Sequence, residues 1–168
     1  ALDPQVIADG ITESTTAIIL NSPSNPTGRV QRPEALSAVL ELLDEHDIRW
    51  IADDIYEHYL YGGAKHTSPA ELTGESAGGL RLGGLSKSMH VMGWRRGWVI
   101  GSADTIRRLK PLHQHLVTCA PTPAQRAAIA ALGDFDRLFG PTLETFGNRR
   151  QLAVERARAL PDIEVVSP

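Results

Sequence analysis

A strand–helix–strand succession near the start of the chain constrains the fold more than any other feature. Residues 15–20 form a β-branched and apolar run bounded by turn residues, which is typical of a buried strand. A helix is predicted from Arg32 to about His46, because a proline follows at its first turn and apolar residues recur at helical spacing. Residues 48–52 are predicted as the next strand. Since two strands joined by a helix lie parallel, the sequence predicts an α/β fold with their carboxyl ends at one sheet edge.

The other segments continue this α/β pattern. Periodicity and turn residues predict strands over 80–85, 99–101 and 163–166, and helices over 5–9, 103–115, 124–132 and from 134 or 141 to 160. The last helix is expected to carry its charges, including Arg149 and Arg150, on its outer face. Residues 62–78 are polar and rich in Gly, Ser, Thr and Pro, which predicts a loop.

Composition excludes several classes of protein. The chain has 168 residues, 42% of them hydrophobic and 22% charged, which suits one soluble domain with a core. A formal charge of -3 gives no reason to expect nucleic acid or an anionic membrane as a partner. No apolar run reaches the roughly 20 residues of a membrane span. The single cysteine excludes an internal disulfide, and we expect a cytoplasmic protein.

The segment around Lys87 carries the chemistry. Lys87 lies among small and apolar residues, and an amine that loses hydration there becomes able to attack a carbonyl and form a Schiff base. Arg95 follows eight residues later between two glycines, and its planar guanidinium suits bidentate binding of phosphate. An amine combined with a phosphate clamp favours a phosphorylated aldehyde as cofactor, and pyridoxal phosphate is the obvious candidate.

Three motifs in this order resemble those of the class I/II, fold-type I pyridoxal-phosphate-dependent aminotransferases. Residues 86–98, with Ser-Lys followed by Gly-Trp-Arg-Arg-Gly-Trp, resemble the cofactor-lysine segment of that family. Residues 21–28, Asn-Ser-Pro-Ser-Asn-Pro-Thr-Gly, resemble its NPxNPTG turn, and residues 52–57 resemble its D-x-x-Y segment. The resemblance covers nearly the whole chain.

The resemblance implies a three-layer α/β/α sandwich with a mostly parallel sheet, present here as a fragment. Residues 1–168 would be the central portion of the cofactor-binding large domain, without its amino-terminal part and without the carboxy-terminal small domain. Residues from about 141 to 168 would lead into that small domain. The resemblance also implies a homodimer.

The resemblance assigns a role to each matching residue. Lys87 would hold the cofactor aldehyde as a Schiff base and then move the Cα proton of the substrate. Asp53 would pair with the pyridine nitrogen, and Tyr56 and Asn25 would hydrogen-bond the phenolate oxygen of the ring. The Asn25–Pro26 peptide bond is expected to be cis.

Phosphate binding is assigned to Arg95, with the hydroxyl of Ser86 as a further donor. Gly84 departs from the family, which usually carries serine or threonine three residues before the lysine. Either the backbone N–H of Gly84 takes over that role, or phosphate is bound more weakly.

Other interpretations of the acidic segment remain open. Asp53 or its neighbour Asp54 is suited to cap the turn that follows the second strand. Oxygen and nitrogen ligands also cluster there, which invites a metal site: Asp53, Asp54, Glu57 and His58. We expect no metal, because no second histidine has a ligand spacing and because a metal would leave Lys87 and Arg95 unexplained.

The predicted function is amino-group transfer between an amino acid and a 2-oxo acid. The alternatives are another enzyme on the same scaffold, namely a β-lyase, a cyclising synthase or an amino-acid oxidase, and a non-enzymatic regulator domain. The arginine that binds the substrate α-carboxylate in the family would lie in the absent carboxy-terminal domain, so the sequence predicts the cofactor but not the substrate.

Overall fold

The computed structural model of the chain describes residues 2–74 and 78–167. One four-stranded sheet, in the order β1-β2-β3-β4, organises this part of the protein. Its strands are β1 (Ala17–Asn21), β2 (Arg49–Asp53), β3 (Gly79–Gly84) and β4 (Gly97–Gly101). The first three strands are parallel and β4 is antiparallel to β3. The predicted mostly parallel α/β fold is therefore confirmed.

Six α-helices and a short 3-10 helix (Met92–Trp94) accompany the sheet in the described residues. The α-helices are α1 (Pro4–Gly10), α2 (Pro33–Glu45), α3 (Pro69–Thr73), α4 (Ala103–Val117), α5 (Thr122–Gly133) and α6 (Phe135–Arg158). Local signals set the beginnings of two of them. Asp3 caps α1 by accepting a hydrogen bond from the N–H of Gln5, and Ser102 caps α4 by accepting one from the N–H of Thr105. None of the described helices combines the length and the apolar character that a membrane span requires.

The core lies between α2 and one face of the sheet. Four residues of α2 at i, i+3, i+4 and i+7 are buried: Leu36, Val39, Leu40 and Leu43. They pack with Leu20 of β1 and with Trp50 and Ala52 of β2. The predicted apolar stripe is thus the stripe that holds the helix on the sheet.

Glycines of β3 make room for two indole rings. A Cβ at Gly79 would overlap the ring of Trp50, and a Cβ at Gly83 would overlap the ring of Trp98. The side chains of β2 and β4 therefore lie over the backbone of β3, where close approach requires glycine.

Two predictions on secondary structure are wrong. The predicted loop 62–78 contains the helix α3, and its residues 75–77 lie outside the described residues. Pro69 begins this helix, and the carboxylate of Glu71 accepts a hydrogen bond from the N–H of Ser68 at 3.3 Å. The strand predicted over residues 163–166 is not formed.

The packing of α2 predicts unequal effects of the same substitution at adjacent positions. Leu43 is 1% exposed, whereas Leu42 is half-buried. Leu43→Ala is expected to lower the free energy of unfolding by about 2–5 kcal/mol, because it leaves a cavity in the core. Leu42→Ala is expected to lower it clearly less, and urea unfolding measures both. Equal losses would mean that α2 packs through another face.

Candidate active site

The carboxyl ends of the three parallel strands bring the site together. Asn21 at the end of β1 is in register with Asp53 at the end of β2, and Asp53 is in register with Leu82 of β3. The Asn21 amide donates to the backbone oxygen of Asp53 at 2.9 Å, and its side-chain oxygen accepts from the N–H of Asn25 at 2.8 Å. Asn21 therefore ties the turn after β1 to the end of β2.

That turn presents Asn25 to the next segment. Its Ser22–Pro23 and Asn25–Pro26 peptide bonds are cis, which confirms the expectation for Asn25–Pro26. The N–H of Gly28, at φ 68°, donates to the oxygen of Ser24 at 2.7 Å and closes the turn. The Asn25 amide then donates to the hydroxyl of Tyr56 at 3.3 Å.

A cavity of about 640 Å³ opens at this edge. Four of the six predicted site residues line it: Asn25, Tyr56, Ser86 and Lys87. The Lys87 Nζ atom lies 5.8 Å from the centroid of the Tyr56 ring. The Lys87 backbone is held as well, because its carbonyl accepts a hydrogen bond from the Tyr59 hydroxyl at 2.7 Å. The volume is in the range of pockets for small organic ligands.

Asp53 and Arg95 do not belong to the described lining of this cavity. The Asp53 carboxylate accepts a hydrogen bond from the N–H of Ile55 at 3.4 Å, so the capping alternative has a contact in the structure. Arg95 is exposed with φ 52°, and its guanidinium donates to the carbonyl of Met92 at 3.1 Å. Their contacts with a cofactor stay predictions.

The helix α6 forms a wall of the cavity that the sequence analysis missed. Arg149 and Arg150 were expected on the outer face of this helix, but both line the cavity. Aromatic contacts hold α6 there, because the Tyr59 ring lies 5.2 Å from that of Phe139 and 5.7 Å from that of Phe146. Phe139 and Phe146, seven residues apart, indicate an apolar face on this helix. The sequence does not show that this face packs against Tyr59.

The cavity has a positive character. Its described lining contains Lys87, Arg149 and Arg150 but no aspartate or glutamate. Cations that line a concave surface concentrate the electrostatic field and favour anionic ligands. The arrangement therefore combines a primary amine with a setting suited to carboxylates or phosphate.

Asp54 lies behind the site and has a structural partner. Its side chain is 1% exposed, and its carboxylate accepts a hydrogen bond from Arg81 Nε at 2.9 Å and lies 3.3 Å from Nε2 of His66. Burial alone would raise the pKa of Asp54, but the adjacent polar side chains of His66 and Ser68 and the positive charge of Arg81 outweigh it, so that the pKa is lowered.

Two of the four residues that suggested a metal site, Asp54 and Glu57, are paired with Arg81. The pair with Glu57 is formed by Nη2 of Arg81. Within residues 2–74 and 78–167, no group of three or more His, Cys, Asp or Glu side chains is arranged to hold a metal ion.

Comparison with known proteins identifies the family of this arrangement. The family model for class I and II aminotransferases matches residues 1–168. The chain belongs to this family. Aspartate aminotransferase from Bacillus subtilis is 37% identical over 99% of the chain, and human kynurenine–oxoglutarate transaminase 1 is 34% identical over 94%. The chain spans 43% and 37% of the length of these two relatives.

Solved structures support the same membership in the aminotransferase family. A Pyrococcus protein matches 99% of the chain with a TM-score of 0.94 at 32% identity, and the chain covers 43% of it. Aspartate aminotransferase from Thermus thermophilus with maleate matches 99% of the chain with a TM-score of 0.88 at 34% identity, and the chain again covers 43%.

The packing around Gly84 leaves no room for a side chain. Gly84 of β3 pairs with Gly97 of β4. A Cβ at Gly84 would lie 2.9 Å from the carbonyl oxygen of Arg96 and 3.2 Å from the Cα of Gly97. A serine or threonine at this position would therefore force the two strands apart.

This steric conflict predicts that Gly84→Ser destabilises the fold. We expect it to lower the free energy of unfolding by about 1–3 kcal/mol through overpacking. Gly10→Ser is the matched control, because nothing lies within 4 Å of a Cβ there, and it is expected to change stability by less than about 0.5 kcal/mol. Urea unfolding compares the two variants. A neutral Gly84→Ser would show that β3 and β4 can separate.

The lowered pKa of Asp54 predicts a pH dependence of stability. Below its ordinary pKa of 3.8, the unfolded chain takes up a proton before the folded one does. The contribution of Asp54 is therefore complete above pH 3.8 and is lost as the pH falls towards the lowered folded pKa. Asp54→Asn is expected to reduce stability at neutral pH and to flatten this acid limb in urea unfolding. Asp44→Asn, on the exposed side of α2, is the control and should leave the limb in place.

Proposed function

We propose that the complete protein carrying this chain is a pyridoxal-phosphate-dependent aminotransferase that moves an amino group between an amino acid and a 2-oxo acid. The observation that carries the proposal is the position of Lys87. Its amine shares one cavity with Tyr56 and Asn25 at the carboxyl edge of a parallel sheet, in a chain of the aminotransferase family. Open α/β sheets bind ligands at this edge.

The donor set of the site fits the proposed cofactor. The amine of Lys87 matches the aldehyde, and the hydroxyl of Tyr56 and the amide of Asn25 match the ring oxygen. The hydroxyl of Ser86 is a donor for phosphate in the same cavity. When bound, pyridoxal phosphate supplies an electron sink for the charge that develops at the substrate α-carbon.

The protein residues supply orientation and proton transfer. Lys87 Nζ would accept the proton from the substrate α-carbon and release it to the carbon that was the cofactor aldehyde. The Tyr56 hydroxyl accepts a hydrogen bond from Asn25, which leaves its own proton free to be donated into the cavity. In this proposal Asp53 holds a proton on the ring nitrogen, and Arg95 binds the phosphate.

The cationic lining supports carboxylate substrates. An amino acid and a 2-oxo acid each carry a carboxylate, and Arg149 and Arg150 supply positive charge in the cavity that contains Lys87. The names of the two curated relatives mention aspartate, kynurenine and oxoglutarate. These three compounds are therefore the first substrates to test.

We further propose the assembly that the family resemblance implies. Residues 1–168 form the central portion of the large domain, residues from about 141 onward lead into a small domain, and two copies form a cytoplasmic homodimer. Exposed apolar side chains on α4 and α5 support additional covering surfaces in the complete protein: Leu112, Leu116, Val117, Ile129 and Leu132.

The proposal predicts the behaviour of a lysine variant of the complete protein. Lys87→Ala is expected to abolish the visible absorbance of bound pyridoxal phosphate and to lower transamination by about 10³-fold or more, because the covalent anchor and the proton carrier are both lost. Lys110→Ala, exposed on α4, is the control and should keep both. The proposal is wrong if Lys87→Ala retains the band and the activity.

Product analysis separates the alternative activities. A transaminase converts an added 2-oxo acid into an amino acid, and its turnover requires that acceptor. A β-lyase or an oxidase releases ammonia without one, and a regulator domain gives no turnover.

A further inference from the structure

We propose that Arg81 is a positioning residue for Tyr56. Arg81 lies outside the described lining of the cavity, on β3, but it holds the turn that presents Tyr56 to the cavity. The proposal rests on the proposed function, because Tyr56 matters only if its hydroxyl contacts the cofactor.

The turn after β2 is clamped at both ends by one guanidinium. The N–H of Glu57 donates to the carbonyl of Asp54 at 2.9 Å, so residues 54–57 form a closed turn with Tyr56 inside it. Arg81 Nε donates to Asp54 Oδ2 at 2.9 Å, and Arg81 Nη2 pairs with Glu57. The first and last side chains of the turn are therefore fixed to the same group on the neighbouring strand.

The side chains that form the contacts of Arg81 with the turn are largely shielded from water. The side chains of Asp54, Glu57 and Arg81 are 1%, 18% and 23% exposed. Charged hydrogen bonds that are shielded from water are stronger and less screened by salt than surface ion pairs. The planar guanidinium can bind two carboxylates at fixed angles, which the point charge of lysine cannot do.

The side chain of His66 lies against Asp54 on the other side. The Oδ1 atom of Asp54 faces Nε2 of His66 at 3.3 Å, and the His66 side chain is only 6% exposed. The carboxylate is thus enclosed between Arg81 and His66. These contacts restrain Asp54 and therefore the backbone that continues from it to Tyr56.

The turn formed by residues 54–57 also contributes to the cavity. Tyr56 lines it, accepts the hydrogen bond from Asn25 and lies beside Lys87. A change in the direction of the turn would therefore alter the position of a phenol hydroxyl relative to the amine. Arg81 acts on this geometry without touching the cofactor.

The experiment uses the complete protein with bound pyridoxal phosphate and the variants Arg81→Met, Arg81→Lys, Tyr56→Phe and the double variant Arg81→Met/Tyr56→Phe. The readouts are the dissociation constant of the cofactor and the pH midpoint of its visible absorbance band. Arg81→Met is expected to weaken binding about tenfold and to move the midpoint in the same direction as Tyr56→Phe, because the hydroxyl is displaced. Arg81→Lys should restore part of the binding but not the midpoint.

The double variant gives the decisive comparison. If Arg81 acts through Tyr56, the double variant should match Tyr56→Phe alone, so that the two effects are not additive. Arg108→Met, which removes an exposed arginine paired with Asp104 on α4, is the control and should change neither readout. Additive effects would overturn the proposal.

Loss of stability is measured separately by thermal unfolding. If Arg81→Met lowers the melting temperature but leaves the midpoint and the dissociation constant unchanged, Arg81 only stabilises the fold and the proposal is wrong. If Arg81→Met does not fold, Glu57→Gln takes its place, because it weakens one end of the clamp and keeps the Asp54 pair. A wild-type protein that binds no pyridoxal phosphate would instead refute the proposed function.

Discussion

The parallel register of β1, β2 and β3 is the constraint on which the site depends. It sets Asn21 beside Asp53 and Asp53 beside Leu82, so that the segments leaving these strands emerge at one edge. Helical crossovers between parallel strands bring residues that are distant in sequence to the same edge. Asn25 and Lys87, 62 residues apart by their numbers, thereby line one cavity. A shift of one residue in register would turn their supporting side chains to the other face of the sheet.

The parts that could be predicted from the sequence are those that local patterns determine. The apolar stripe of α2 has a helical period, and the strands before and after it are short apolar runs bounded by turn residues, so the parallel unit followed from the order of these elements. Placing Asn25, Tyr56 and Lys87 together required only one further step, because each follows the end of a predicted strand. Topology, rather than any side-chain contact, made this step possible.

The parts that were missed depend on contacts between distant segments. The helix α3 is a single short stretch within a polar segment, where turn composition outweighs the signal of Pro69 and Glu71. Helical periodicity predicted α6, but it could not reveal that Phe139 and Phe146 pack on Tyr59 and so bring Arg149 to the cavity. The same limit applies to Gly84, because the atoms that exclude a side chain there belong to the backbone of Arg96 and Gly97 and not to its neighbours along the chain.

The neighbouring residues Asp53 and Asp54, where β2 ends, have different surroundings and different expected roles. Successive side chains of a strand lie on opposite faces, so Asp53 and Asp54 meet different surroundings. Asp53 remains half-buried at the sheet edge, whereas Asp54 is enclosed by Arg81 and His66. A buried carboxylate without a partner at that position would destabilise the fold. The ion pair with Arg81 offsets this cost and holds Asp54 in place. Asp54 and Arg81 lie outside the described lining of the cavity, whereas Tyr56 of the same turn lines it. Residues that do not contact the ligand can therefore influence the position of Tyr56 in the cavity.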